Sequence, residues 1–466
     1  MIKRIFTALF CLGITLPGIA QDLDYFSELS APLSFGDSRF NAMAGNMVGM
    51  SGSMTALAIN PATVGLYRQD VLSIDGSIFN SRNSSSNSGG TLGNSNNLNV
   101  GSAGFVARNE NTGWHVFFAY NTDQLYRGRL RNNQANGGSI LSQFINNAAG
   151  TPPEYLPELG PYEDMMYQSY AVDYNSNTGN YFAPADLFDV NTRHLYFRKG
   201  LRNRWTLGSG KGLTQRFYVG GSVSIVHTNE TVEVTHEESF NETTDMTDFT
   251  MEEWWNNSAI GITGNIGFYY RPVQFLRIAG AFELPSIYGF NQDWETSFIA
   301  DRPSISASGI TAEGFGEMYQ WSMMTAPKLR SGVTLLAGRA GLITANYTYA
   351  PTAAGRMFSR NERYLNETID SLLAPVHQLG VAGEVRFGVV TLRGGATFIS
   401  SAQQQLGNHV QMGGGLSIKS DQTTYYVSFG RIVTNKQYYM YSADYTNAVE
   451  YSNSLSVLST GVTFKF

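Results

Sequence analysis

The chain of 466 residues contains a single cysteine, Cys11, and it lies within the first twenty residues. A disulfide framework and a cysteine metal site are therefore excluded. Charge is also scarce. Asp, Glu, Lys and Arg make up 15% of the residues, against ~25% in an average soluble domain. The formal net charge of −6 offers no basic surface to nucleic acid. After the N-terminus no apolar run approaches the ~18 residues of a helical membrane span. Proline is limited to 14 residues, spread along the chain. The abundant residues are Gly (49), Tyr (26), Phe (28) and small polar types.

Catalytic patterns are missing too. The six histidines (His115, His194, His227, His236, His377 and His409) show no HExxH or paired metal spacing. There is no GxSxG elbow and no phosphate loop. The expectation is a non-enzyme without cofactor or metal.

The first twenty residues read as a secretory leader. Lys3 and Arg4 precede an apolar stretch from Ile5 to Leu16, and Pro17-Gly18-Ile19-Ala20 ends in small residues, so cleavage is expected before Gln21. After residue 70 the dominant pattern is alternation. In 259–270, Ile260, Ile262, Ile266, Phe268 and Tyr270 share one face, and Gly261, Thr263, Asn265 and Gly267 the other. The segments 217–225, 379–387 and 390–398 repeat the pattern.

Fourteen strands are expected: 70–80, 97–109, 112–130, 192–207, 214–238, 258–272, 274–298, 316–336, 339–350, 375–387, 389–401, 408–420, 423–437 and 454–466. Gaps after even strands are tight, and gaps after odd strands are mostly long, notably 131–191. A polar second face, aromatics at strand ends and alternating loop lengths define an all-β, transmembrane antiparallel barrel in a Gram-negative outer membrane. Leu458, Thr460, Val462, Phe464 and Phe466 alternate to a terminal aromatic, resembling the signal read by barrel-assembly machinery. Asp75, Arg108, Arg277, Glu283, Arg330, Glu384, Arg386 and Arg393 are expected to face the lumen, whereas Arg431 falls on the lipid face.

Residues 21–68 do not alternate and are too few for an independent domain. A fourteen-stranded lumen is wide enough to need filling, so this segment is expected to form a plug, with 69–466 as the barrel. The run Phe35 to Met50, the small-residue stretch Met54–Ile59, then Asn60-Pro61-Ala62 and Gly65-Leu66-Tyr67 ahead of strand one, resembles the FadL-type transporters of long-chain fatty acids and hydrocarbons, in the branch found in Bacteroidetes-like bacteria. The layout of the whole chain carries the resemblance. One departure is that Ser51-Gly52-Ser53-Met54 lacks the Gly-Asp pair that family members commonly carry there.

The resemblance implies a monomer that imports long-chain fatty acids or related hydrophobic molecules by diffusion, surrounded by outer-membrane lipids. It also implies a hatch motif at Asn60, Pro61, Ala62 and Gly65. Phe35, Phe40, Met43, Met47 and Met50 are candidates for a ligand pocket beside the hatch, because methionine adapts to varied apolar shapes. Packing of plug against wall is the competing role. In loop 131–191, Phe144, Ile145, Tyr162, Met165 and Met166 are candidates for ligand capture or for capping the barrel mouth. Asn121-Thr122-Asp123 interrupts a strand-like run and marks a candidate kink for a lateral opening, or the point where the strand leaves the membrane. A FadL-like barrel serving a secretion system without transporting lipid is the main functional alternative, and a small-solute porin a lesser one.

Overall fold

The computed structural model describes residues 26–32, 34–85, 90–241, 245–306, 308–359, 363–403, 406–438 and 449–466. The expected leader lies outside these residues. Fourteen antiparallel strands close on themselves. They are β1 (Val71–Ser85), β2 (Gly90–Arg108), β3 (Trp114–Gly137), β4 (Val190–Gly212), β5 (Phe217–Phe240) and β6 (Asp248–Tyr270). Next come β7 (Leu276–Glu283 and Ile287–Asp301), β8 (Ile310–Met324 and Lys328–Ala337), β9 (Gly341–Ala350) and β10 (Val376–Phe387). The last four are β11 (Val390–Ile399), β12 (His409–Ser420), β13 (Thr423–Tyr438) and β14 (Val449–Lys465). Pairing of Val71 with Lys465 through Ser84 with Ser452 joins the first strand to the last.

Closure follows from solvation. A strand edge in hydrocarbon would leave its N–H and C=O groups without partners, and a barrel has no edge. The outer face is apolar: Leu72, Ile74, Leu207, Ile260, Ile262, Ile343 and Leu379 are all exposed there. Their sequence neighbours Ser73, Asp75, Thr206, Thr263 and Thr344 are buried on the luminal face. Trp114, Tyr270, Phe275, Phe387, Tyr425 and Phe466 surround the end with the tight turns as an exposed aromatic girdle.

Two expected strands are broken. The segments 274–298 and 316–336 read as continuous, but Pro285 and Pro327 interrupt β7 and β8 side by side. Proline brings no N–H to the ladder. The ladder is carried across by Leu284 N–H to Gly264 O (2.8 Å), Thr325 N–H to Ser286 O (2.9 Å) and Ser286 N–H to Thr325 Oγ1 (3.0 Å). Several strands also run further toward the long loops than expected; β6 begins at Asp248 rather than 258. Those extensions have water or the cap on their two sides and mix polar residues with buried ones such as Phe249 and Met251, so the contrast between lipid and lumen disappears while the backbone pairing continues.

Leu207, 66% exposed, tests which face meets lipid. Leu207→Arg should cost ~2–4 kcal/mol if it lies near the bilayer centre, measured by reversible folding into phosphatidylcholine vesicles. A change below ~0.5 kcal/mol would place this face in water.

Candidate functional site

Inside the barrel, the short helices α1 (Ser38–Ala42) and α2 (Met54–Ile59) and the 3-10 turn Pro61–Leu66 form a hatch. Asp37 organises both helices. Its Oδ1 caps α1 by accepting from Phe40 N–H (2.9 Å), and its Oδ2 accepts from Ser53 Oγ (2.5 Å) and Thr55 N–H (3.1 Å) at the start of α2. Asp37, the residue ahead of α1, thus brings a carboxylate to the start of α2, where 51–54 has none. Ser53 in turn caps α2 through Ala56 N–H (3.0 Å).

The hatch motif is a seat against the wall. Asn60 donates from Nδ2 to Val48 O (2.8 Å) on the hatch and to Phe268 O (3.2 Å) on β6, while its Oδ1 accepts from Ala62 N–H (3.2 Å). Three glycines paired across β4, β5 and β6, Gly210, Gly220 and Gly267, make room for it. A Cβ on Gly220 would lie 2.6 Å from Ala62 N, and one on Gly267 would lie 2.1 Å from Asn60 Oδ1. Gly65 approaches Tyr218 of β5 in the same way. On the opposite wall the paired Gly395 and Gly413 receive the Met43 and Asn41 carbonyls.

Polar contacts complete the docking. Ser38 N–H and Oγ bond Asp75 of β1 (2.9 and 2.5 Å), Asn41 Nδ2 bonds Ser459 of β14 (2.9 Å) and Asn46 Nδ2 bonds Thr397 of β11 (2.8 Å). Arg39 pairs with Glu384 of β10, which also lies 3.4 Å from Arg393.

Phe40, Met43, Met47 and Met50 are buried together against Tyr269, Ala279, Leu342 and Ala382 of the wall. Their surfaces are filled by hatch-to-wall packing. Phe35 alone of the five pocket candidates lines the large cavity. It meets Phe79 edge-on at 5.9 Å. This cavity holds about 1360 Å³ of empty space, its open mouth included. Its apolar lining includes Leu125, Tyr126, Val376, Ile399, Ile432 and Leu455; its polar rim includes Arg198, Arg202, His409 and Lys436.

The segment 26–30, helical ahead of α1, reaches across this rim. Glu28 pairs with Arg198 of β4 (2.8 Å) and with Lys436 of β13. Arg202 Nη1 donates to Leu29 O (3.2 Å). Burial pushes the Glu28 carboxyl up, but Arg198 and Lys436 outweigh it and hold it at about 2, below the ordinary 4.5. Arg198, Arg202 and Arg204 stand on the luminal face of β4 and lead down toward Asp123, whose Oδ2 accepts from Arg204 Nε (2.7 Å). Arg204 lies 3.7 Å from Glu283, which also pairs with Lys328 (3.0 Å) and Arg330 (2.7 Å). The even spacing of these arginines in 192–207 was a readable signal of a luminal ladder.

Asn121, Thr122 and Asp123 sit where the wall parts. β2 pairs with β3 from Arg108–His115 only as far as Ser102–Asn121. Beyond that, β2 pairs with β1 alone, and β3 continues on β4 with Asp123 as an extra residue between Thr122 and Gln124. A second bulge, at Gly101, faces it on β2. The upper half of β3 bends inward. Its Arg127 and Arg129 carbonyls accept from Ser81 Oγ (3.2 Å) and Asn83 Nδ2 (3.0 Å), luminal side chains of β1. Thr122 Oγ1 donates to Val100 O (2.8 Å). Thr55 of the hatch donates to Asn121 Oδ1 (2.7 Å), so the hatch touches the kink directly.

Loop 138–189 forms a cap. Its helices α3 (Leu141–Ala148) and α4 (Pro161–Gln168) bury Phe144, Met165 and Met166 against Phe249 and Phe298 of the strand extensions. Ile145 and Tyr162 are partly buried on the same cluster, and Tyr162 stacks on Phe144 at 5.8 Å. These five residues hold the cap together. The apolar groups that the cap exposes are Tyr155, Leu159, Tyr170, Phe182 and Phe188. The cap is anchored at Ser139 and Ile140 by Glu238, which accepts from Ile140 N–H (2.8 Å) and is bonded to His236 (2.9 Å).

Barrel, hatch and parted wall define a class by architecture: plugged barrels with a break between two strands of the wall. No family model matches the chain. No curated protein matches it. Among solved structures, a FadL homologue of Pseudomonas aeruginosa aligns over 94% of this chain and 99% of its own, with TM-score 0.56 and 10% identity. The toluene transporter TodX of P. putida aligns over 93% and 99%, with TM-score 0.55 and 12% identity. The toluene transporter TbuX of Ralstonia pickettii gives 93%, 99%, 0.52 and 14%. At these identities the likeness is one of fold, and the fold of this chain is that of the FadL-type barrels.

Two outcomes are expected for the hatch. Asp37→Ala removes one helix cap and the staple to the second helix, lowering local stability by ~2 kcal/mol or more. Amide exchange across 38–59 should quicken ~30-fold, with the barrel strands unchanged. Glu28 has a depressed folded value, so its contribution is complete above ~4.5 and is lost as pH falls toward about 2. Exchange of 26–31, corrected for intrinsic rate, should be flat from pH 7 to 5 and rise below ~4. Glu28→Gln should abolish that pH dependence.

Proposed function

We propose that this protein is a monomeric outer-membrane channel of a Gram-negative bacterium for diffusive uptake of hydrophobic compounds, long-chain fatty acids foremost. One observation carries the reading. An apolar cavity ends at two cations, Arg198 and Lys436, and both are held by a carboxylate of the hatch itself, Glu28. An incoming fatty acid carries the same group on an alkyl chain. Its carboxylate replaces Glu28 while its tail enters among Phe35, Ile399 and Ile432, gaining ~0.8 kcal/mol per buried CH₂. Arg198 keeps Glu230 of β5 throughout, and exchange of one carboxylate for another keeps Lys436 paired as well, so the cost of displacement is low.

The docked hatch fills the axial path with hydrogen bonds to β1, β6, β11 and β14. The route that fits greasy cargo is sideways, between β2 and β3 above Ser102 and Asn121, into the membrane. The leader 1–20 and recognition of the terminal Phe466 by assembly machinery belong to the same proposal. An open small-solute pore fits poorly with a hatch seated on glycines on both walls.

Native mass spectrometry of the purified barrel with oleate and with an uncharged alcohol of equal chain length tests this. Arg198→Gln with Lys436→Gln should weaken oleate binding at least ~10-fold and leave the alcohol unchanged. Equal loss of both ligands, or loss of neither, would contradict the assignment of the cations.

A further inference from the structure

Two groups of ionised side chains line the lumen, and one of them does not balance. In the group nearer the long loops, Glu28 and Glu230 answer Arg198 and Lys436. In the deeper group, Asp123 and Glu283 answer four cations. Arg204 lies 2.7 Å from Asp123 and 3.7 Å from Glu283, and Arg202 lies 3.9 Å from Asp123. Lys328 and Arg330 both lean on Glu283, at 3.0 and 2.7 Å. All six side chains are buried, none more than 4% exposed. Among the described residues no third carboxylate pairs with any of the four cations. Arginine keeps its charge in proteins, so the three guanidiniums alone exceed the two carboxylates, whatever the state of Lys328. Surplus buried charge is costly unless a counter-charge reaches it.

A second cavity offers the place for one. It holds about 430 Å³ of empty space, its openings included, between hatch and wall. Arg330, Thr348 and Gln378 stand in one luminal row across β8, β9 and β10 and line its wall side. Phe40, Asn46 and Val48 line its hatch side. The neighbouring polar groups are engaged: Asn346 accepts from Val48 N–H (3.1 Å) and donates to Thr344 Oγ1 (3.1 Å), and Thr397 Oγ1 donates to Ala44 O (2.7 Å). The row of Arg330 is not. Its Nε and Nη2 meet no acceptor among the described residues, and the buried Thr348 hydroxyl and half-buried Gln378 amide have no hydrogen-bond partner there. Pro32 and Gln378 line both this cavity and the larger one, so the two are neighbours and an ion can pass between them.

We propose that this cavity is a binding site for one small inorganic anion of the halide class, held by Arg330 with Thr348 and Gln378. The polar wall side suits a hydrated ion better than an alkyl chain. The ion offsets charge that Asp123 and Glu283 leave unanswered. Because the hatch supplies half of the cavity, the ion binds only while the hatch is docked, and binding favours the docked state. The site is independent of the compound transported.

The purified barrel is crystallised with sodium bromide, and the anomalous signal of bromide is read. A peak within hydrogen-bonding distance of the Arg330 guanidinium is expected. In neutral detergent, chloride should raise the thermal midpoint saturably over gluconate at equal ionic strength. Arg330→Gln should remove the peak and weaken the chloride dependence about tenfold, whereas Arg330→Lys, which keeps the charge, should retain both. Heat-dependent gel mobility confirms that each variant is folded; if Arg330→Gln is not, Thr348→Val should by itself weaken the chloride dependence severalfold. No peak in the wild type, or a peak or chloride dependence that survives Arg330→Gln, would overturn the site. Crystals grown with bromide and oleate together separate the two sources of negative charge. Bromide should stay in place, and its displacement by the oleate carboxylate would overturn the inorganic assignment.

Discussion

In hydrocarbon a backbone N–H or C=O without a partner costs several kcal/mol, and every other feature of this barrel is arranged around that constraint. Thirteen neighbouring strand pairs satisfy it by unbroken or bridged ladders, including the closing pair β1–β14. The exception is β2 with β3, which separate above Ser102 and Asn121. The separation is supported rather than left open. β3 keeps its ladder to β4 on both sides of the Asp123 bulge, the Arg127 and Arg129 carbonyls take side-chain donors from β1, and the Val100 carbonyl takes Thr122. A break maintained by this many substitute bonds is a built feature of the wall.

Hatch and kink share one polar chain. Asp37 holds Ser53 and Thr55, Thr55 holds Asn121, and Asp123, two residues on, holds Arg204. Glycines let the hatch approach the wall at backbone distance, so short side-chain amides such as Asn46 and Asn60 can bridge both. Glu28 lies on a separate segment, joined to the outer rim through Arg198 and Lys436, while α1 and α2 are docked below.

Sequence pattern was informative wherever the two faces of a strand meet different solvents. β10 and β11 were delimited to within two residues because lipid lies on one side and a polar lumen on the other. The strand extensions beyond the membrane, such as 248–257, have water or cap on both sides and show no such contrast. Pro285 and Pro327 were visible but were read through, since side-chain bonds from Thr325 and backbone bonds to Gly264 carry the ladder past them. The methionines of the hatch were distinctive in composition, yet composition does not separate a wall contact from a cavity lining. The cavity instead draws on Leu125, Val376, Ile399, Ile432 and Leu455, ordinary inward strand residues spread over five strands. Asn121-Thr122-Asp123 stood out because a turn-prone triplet within a strand has to be accommodated somewhere.

The most direct test of a sideways route is deletion of Asp123, the bulge residue whose removal lets Thr122 and Gln124 follow each other on Asn203 and Arg202. Uptake of radiolabelled oleate would be measured in cells that lack their own transporter, with folded barrel quantified at the surface. Loss of uptake at normal barrel levels is the expected result. Uptake equal to that of the unaltered protein would contradict a route through the wall and return the exit to the hatch.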